Sequence, residues 1–467
     1  MGRIKMGKKD SIKRILVLQL ATFEFLLDVG GYAFIWFFFY KKMVEVRFWQ
    51  KGDALVLALY AVILAGFLVV YGGGKIGYLR SFEIFLSHTF SILASNIFAY
   101  GIICLMNGTA IDPRYIIILT LIQLLFALGW SYLANYIYRS VFAPRDLLLI
   151  CGERPVDEII EKFKTRKDRF QIVKIMNVSE GEEAILKEIP NRYQGVVLWD
   201  IPMNFRNNIL KYCYARSIRV YMMPKISDVI IQGADVLHFF DTPILLTREY
   251  PLNFEQRCIK RMIDLFCSIV LIILTSPIML ITAILIKITD GGPVFYKQTR
   301  VTLNNKQFKI VKFRSMKVDA EADGKARLAS KNDDRITWIG KFIRKVRIDE
   351  LPQLFNILKG EMSFIGPRPE RPEIIEQYMQ EIPEFSFRTK VKAGLAGYAQ
   401  VYGKYNTTPY DKLKLDLAYI EGYSTWMDIK LMLLTLRVLL TPDATEGVGE
   451  DQVTAMKPEE DNDESTV

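Results

Sequence analysis

The sequence predicts an α+β membrane protein: a four-helix transmembrane bundle, a small α/β Rossmann-like module and a C-terminal α+β unit with a re-entrant helix. Three observations predict it. Long apolar runs fill roughly residues 15–140 and recur near 262–288, strand and helix patterns alternate over 146–224, and residues 255–441 carry four motif clusters. A chain of 467 residues is too long for one ordinary domain. The boundaries read as 1–143 for the bundle, 144–250 for the module, 251–445 for the C-terminal unit and 446–467 for an acidic, disordered tail.

Apolar runs near 15–40, 54–71, 84–106 and 115–137 each approach or exceed the about 20 residues that cross a bilayer. Tyr, Phe and Trp mark several of their ends, as interfacial belts do. The basic start (Arg3, Lys5, Lys8, Lys9, Lys13, Arg14) could pass for a signal peptide. No small-residue cleavage site closes a short core, and the run continues to Tyr40, so a retained helix is expected. Glu24 and Asp28 lie four apart on one face of that helix, as an intramembrane polar site or, the favoured reading, as a bundle-facing pair. An even number of spans returns the chain to its starting side and puts the N-terminus, Arg139 and Arg145 in the cytoplasm. Lys41, Lys42, Arg47 and Lys51 in the first loop weaken that charge asymmetry.

The module reads as strands at Asp146–Ile150, Phe170–Met176, Gly195–Asp200 and Ile218–Met223, alternating with helices at Val156–Arg166, Glu182–Glu188 and Phe205–Arg216. The turn after its first strand is Cys151-Gly152-Glu153-Arg154-Pro155. A dinucleotide fingerprint needs several glycines there and only Gly152 is present, so a structural or regulatory module is expected.

Met262–Ile288 is long enough to span a bilayer, but two features favour re-entry on one face. Ser276-Pro277 sits at its midpoint, where proline removes a ladder hydrogen bond and a serine hydroxyl can satisfy the freed carbonyl. Basic residues flank both ends, with Arg257, Lys260 and Arg261 before and Lys287, Lys297 and Arg300 after.

The net charge of +10 understates the basic body, because the last 27 residues hold nine acids against one lysine, leaving +18 elsewhere. A basic body joined to apolar segments suits a membrane surface and phosphorylated substrates. Nothing resembles a groove-reading module, so nucleic acid is not expected as a partner. Five cysteines lack metal or redox spacing, which fits a reducing compartment. With only two histidines, His88 and His238, any catalysis falls to carboxylates and cations.

The C-terminal unit carries Gly292-Pro293-Val294-Phe295-Tyr296-Lys297-Gln298 followed by Arg300, then the alternating strand Phe308–Met316 with Lys312 and Arg314 on one face. Next come Arg344, Arg347 and Ile348-Asp349-Glu350-Leu351-Pro352-Gln353-Leu354, and last Met362–Pro369 with Gly366-Pro367-Arg368-Pro369. A helix over about Pro352–Lys359, stopped by Gly360, would set Asp349 and Glu350 just before its N-terminus. A carboxylate there can attack phosphorus, an adjacent one can hold Mg²⁺, and Arg344 and Arg368 can clamp phosphate oxygens. Acids before a helix are also common as plain caps, and it is the co-occurrence of the clusters that favours chemistry.

Residues 255–441 resemble the catalytic domain of the monotopic phosphoglycosyl transferases, or bacterial sugar transferases. The resemblance rests on KRMID (Lys260–Asp264), Ser276-Pro277, GPVFYKQ, KFRSM, DELPQL and GPRP, in that order. The preceding helices and module resemble the large, hexose-type members, which start exopolysaccharide, capsule or O-antigen repeat units. The resemblance implies transfer of a sugar-1-phosphate from a UDP-sugar to polyprenol (undecaprenyl) phosphate at the inner membrane. Asp349 would be the nucleophile that releases UMP, and Glu350 would associate with Mg²⁺. Lys312, Arg344 and Arg368 match phosphate-binding cations and Asp416 a later acid; Arg314 is taken with the substrate-binding set. Lys404 stands where an arginine is expected, which keeps the charge but loses bidentate geometry. Val301-Thr302 replaces an expected glycine-containing turn. The same catalytic reading places Asp349 on the cytoplasmic side, a second argument for re-entry. The rival readings are a glycosyltransferase releasing UDP and a non-catalytic scaffold; the sugar and a homo-oligomeric state are left open.

Overall fold

The computed structural model describes residues 2–44, 52–247, 251–317, 335–403 and 407–439. It forms two compact units, Met1–Met223 and Pro224–Val467.

The first unit begins with helices α1 (Gly2–Ile35, extended to Met43 through a π-helical turn at Trp36–Tyr40), α2 (Gly52–Tyr71), α3 (Ser81–Asn107) and α4 (Arg114–Val141). All four are long and apolar enough to cross a membrane. Aromatic packing joins them, with Tyr32 stacked on Tyr60 at 3.9 Å. A polar belt crosses the same core, where Tyr60 donates to Asn96 Oδ1 at 2.9 Å and Asn96 donates to Gln123 Oε1 at 2.8 Å. Glu24 and Asp28 are buried among these helices, and Glu24 Oε1 lies 3.1 Å from His88 Nδ1. The acids therefore face the protein, where polar partners exist, and not the lipid-facing surface.

A four-stranded parallel sheet follows, of β1 (Arg145–Cys151), β2 (Phe170–Asn177), β3 (Gly195–Trp199) and β4 (Arg219–Met222), in the order β2-β1-β3-β4. Helices α5 (Asp157–Lys164), α6 (Glu182–Arg192) and α7 (Met203–Ala215) make the crossovers. The central strands β1 and β3 are continuous apolar runs because both sheet faces are covered. A Cβ on Gly152 would fall 2.0 Å from the Asp200 carbonyl oxygen. This glycine thus lets two strand-end loops close on each other.

Residues from Pro224 onward, placed with the module by sequence, pack with the second unit. Ile226 and Val229 of α8 (Ile226–Gln232) sit in its core, and the hairpin of β5 (Asp235–Phe239) and β6 (Thr242–Leu246) follows. Then comes α9 (Phe254–Asp290), 37 residues long and also apolar enough to cross a membrane. The hairpin of β7 (Phe295–Val301) and β8 (Gln307–Phe313) leads to α10 (Trp338–Lys345) and α11 (Gln353–Lys359). Parallel strands β9 (Ser363–Ile365) and β10 (Gly394–Ala396), with α12 (Pro372–Glu381), α13 (Tyr398–Tyr402), α14 (Pro409–Glu421) and α15 (Thr425–Leu439), complete the unit.

The expected break at Ser276-Pro277 is no interruption: α9 is helical throughout. Pro277 has no N–H for the Ile273 carbonyl, and the Ser276 hydroxyl donates to that carbonyl at 2.9 Å, so the helix absorbs the proline. Both halves of α9 pack on this unit, the first through Lys260, Arg261 and Asp264, the second through Met279, Ala283 and Ile286 against Phe313, Ile339 and Ile343. Its other face exposes Met262, Phe266, Ile273, Leu274 and Leu280. The acidic tail lies outside the described residues.

Candidate active site

The motifs of the second unit converge because α9 anchors the backbone beneath them. Lys260 donates to the Ile365 carbonyl at 2.9 Å and pairs with buried Asp428 at 2.6 Å. Arg261 donates to the Ile357 and Leu358 carbonyls in the last turn of α11, the first of which also accepts from the Gly360 N–H. Asp264 accepts from the Phe364 N–H at 2.9 Å and the Ser363 hydroxyl at 3.0 Å. The conspicuous KRMID segment is thus a clamp on β9 and α11.

Asn356 provides a second clamp that sequence reasoning missed. Its Oδ1 accepts from the Val311 N–H at 3.0 Å, and its Nδ2 donates to the Lys309 carbonyl at 2.9 Å and to Glu361 at 2.6 Å. These bonds hold α11 to β8 one residue from Lys312. No local pattern marked it, because its β8 partners lie 45 and 47 residues away in the chain.

Asp349 and Glu350 occupy a 3₁₀ turn, Ile348–Glu350, that runs into α11. The helix ends at Gly360, whose φ of 84° suits a left-handed C-terminal glycine, as expected. Arg347, just before the turn, is itself left-handed at φ 55°, a strained conformation for a residue with a side chain. It aims the chain so that both acids meet the cations. Glu350 Oε1 lies 3.3 Å from Lys312 Nζ and accepts from Arg368 at 3.1 Å, while Oε2 is 3.8 Å from Arg347. Among the described residues no hydrogen bond engages the Asp349 carboxylate.

The two acids are electrostatically distinct. Burial, and then the neighbouring Glu350, push Asp349 up to about 6, against the pull of Lys312, Arg344 and Arg368. Burial would also raise Glu350, but Lys312, Arg368 and Arg347 outweigh it and hold that carboxyl well below the usual range. Glu350 is a tethered anion, and among the described residues no hydrogen bond tethers Asp349, whose carboxyl burial pushes up to about 6.

The remaining predicted residues separate. Lys312, Arg344 and Arg368 gather at the acid pair. Arg314 follows the end of β8 at Phe313. Its buried guanidinium lies under Gly292, where a Cβ would fall 2.5 Å from it. Asp416 is almost wholly buried and pairs with Arg388 at 2.8 Å behind the Gly366–Pro369 loop. Lys404 lies outside the described residues. After Val301-Thr302 the turn is made by Asn304 and Asn305, left-handed at φ 55° and 58°, which substitute for the expected glycine.

Among the described residues no group of three or more His, Cys, Asp or Glu could hold a metal unaided. Mg²⁺ usually binds through one or two carboxylates, with waters and substrate phosphates completing its shell. Asp349 and Glu350 fit that donor set.

Residues 255–442 match the family described as bacterial sugar transferase. A UDP-glucose:undecaprenyl-phosphate glucose-1-phosphate transferase of Klebsiella pneumoniae is 42% identical over 44% of this chain and 43% of its own length. A UDP-N-acetylgalactosamine-undecaprenyl-phosphate N-acetylgalactosaminephosphotransferase of Aeromonas hydrophila is 40% identical over 50% and 55%. A glucose-1-phosphate transferase of the first kind from Caulobacter vibrioides is 38% identical over 39% of this chain and 70% of its own. The matched region spans about half the length of the first two relatives. It contains the anchored acid pair and its cations, and on that footing the chain belongs to the bacterial sugar transferase family.

Proposed function

We propose that this protein transfers a hexose-1-phosphate from a UDP-sugar to undecaprenyl phosphate, releasing UMP through a covalent intermediate on Asp349. The observation that carries the reading is the asymmetry of the pair: Glu350 is tethered by Lys312 and Arg368, and among the described residues no hydrogen bond holds Asp349 beside them. An Asp349 oxygen attacks the β-phosphorus and the bond to the α-phosphate breaks, with UMP leaving. The phosphate oxygen of undecaprenyl phosphate then attacks the same phosphorus, forming the lipid diphosphate and freeing Asp349. Lys312, Arg344 and Arg368 bind the diphosphate and offset charge that builds on its oxygens. Glu350 would hold Mg²⁺, which when bound supplies charge neutralisation for the leaving phosphate.

The relatives are named for glucose, galactose and N-acetylgalactosamine, so a UDP-hexose is the donor class. In this reading α9 dips into the cytoplasmic face of the inner membrane and returns, with its apolar face in lipid. Packing of both its halves on one unit supports that, since a straight helix from Lys260 to Ile286 would be about 39 Å long. The four preceding helices act as a transmembrane bundle, the parallel sheet as a Rossmann-like accessory module, and the product starts a surface-polysaccharide repeat unit. The test is incubation of purified protein with a panel of UDP-sugars and undecaprenyl phosphate. UMP release is expected; release of UDP, or of neither nucleotide, contradicts the reading.

A further inference from the structure

Arg388 is too deeply buried to touch a substrate, at 3% exposure, yet it is tied to the site. Its Nη2 donates to the Arg368 main-chain carbonyl at 2.9 Å and lies 2.8 Å from Asp416. Its Nη1 lies 3.6 Å from Glu370, and its guanidinium covers the Phe385 ring at 5.0 Å. Three neighbouring carbonyls are held as well: Pro367 by the Gly394 N–H, Pro369 by Arg300 and Glu370 by the Val301 N–H. Two of these four donors are main-chain amides of β10 and β7, and the third is the guanidinium of Arg300 on β7. Arg388 is a side chain reaching in from the turn Pro383–Lys390, and it depends on Asp416 and Glu370 for its place.

We propose that Arg388, locked between Asp416 and Glu370, is a positioning residue that fixes Arg368 against Glu350 and the phosphate being transferred. This rests on the transferase reading above. Burial would raise Glu370, but Lys412, Arg388 and Arg300 hold it well below the usual carboxylate range, so it stays an anion able to keep Arg388 in place. Only a fork of donors can serve the Arg368 carbonyl and two carboxylates at once; a lysine keeps the charge and loses that reach. Asp416 is thereby assigned to Arg388 and not to the substrate.

The test is a double-mutant cycle in the full-length protein, with Arg388→Lys and Arg368→Lys alone and together, read as UMP release from a UDP-hexose. Arg388→Lys is expected to lower turnover about 10- to 100-fold, the range for a hydrogen bond to a charged group. In the Arg368→Lys background it should cost almost nothing further, because its route of action is already cut. Asp416→Asn should act in the same direction and be similarly non-additive with Arg388→Lys. Equal losses in both Arg368 backgrounds would mean a general structural role and overturn the proposal. If the wild-type protein releases no UMP, the transferase reading fails instead. Amide hydrogen exchange over residues 366–371 then decides the positioning role by itself. Faster exchange there in Arg388→Lys, with the rest of the unit unchanged, supports it, and unchanged exchange in that loop overturns it.

Discussion

Replacing Asn356 with alanine should loosen the site without touching any group that contacts substrate. The side chain makes three hydrogen bonds, to the Val311 N–H, the Lys309 carbonyl and Glu361, and is 1% exposed. A typical net contribution is about 1 kcal/mol per bond, rising where buried partners are left unpaired, so a loss of about 2–4 kcal/mol is expected. For a unit of this size each kcal/mol moves Tm by about 2–4 °C, which predicts a fall of about 4–16 °C. Scanning fluorimetry of the protein in nanodiscs measures it. Because the same bonds set the distance from Lys312 to Glu350, UMP release at a temperature where the variant is folded should also fall, by about tenfold. A Tm within about 1 °C of wild type, or full activity in a destabilised variant, would refute the idea that this amide couples α11 to β8.

Three further outcomes follow from the site and from α9. Asp349 must be ionised to attack, so activity should fall as pH drops through about 6 and level off above it; a pH profile of UMP release with no acid limb between about 5 and 7 would count against Asp349. Excess chelator should stop UMP release and Mg²⁺ restore it, whereas undiminished activity would mean that Lys312, Arg344 and Arg368 suffice. In a cysteine-free background, single cysteines at Asn253, just before α9, and at Lys297, in β7 after it, should both resist an impermeant thiol reagent in intact cells. Labelling of the second alone would establish a true span.

The extent to which the sequence disclosed this structure varied with the range of the interactions involved. The strands around Leu147–Ile150 and Val196–Leu198 were legible because a sheet covered on both faces needs unbroken apolar runs. Pro352 and Gly360 marked the short helix after the acid pair for equally local reasons. The alternation that set Arg314 beside Lys312 runs one residue past the end of β8 at Phe313. Asn356, Arg388 and Glu370 were not legible, since Asn356 reaches Lys309 at a separation of 47 residues, Arg388 reaches Arg368 at 20 and Glu370 reaches Lys412 at 42. Pairings at that separation are set by the fold and leave no local pattern. Lys260 and Asp264 stood out as a motif, but their work on Ile365, Asp428 and Phe364 emerged only once α9 was packed.

The central claim is that Asp349 becomes covalently loaded, and intact-mass analysis of the purified protein tests it most directly. Incubated with UDP-hexose and Mg²⁺ but no lipid acceptor, the wild-type protein should gain one hexose phosphate and release a stoichiometric burst of UMP. Peptide mapping should place the adduct on Asp349, undecaprenyl phosphate should discharge it, and Asp349→Asn should neither gain mass nor release UMP while keeping the wild-type Tm. An adduct on another residue, or full transfer by the Asn variant, would contradict the account.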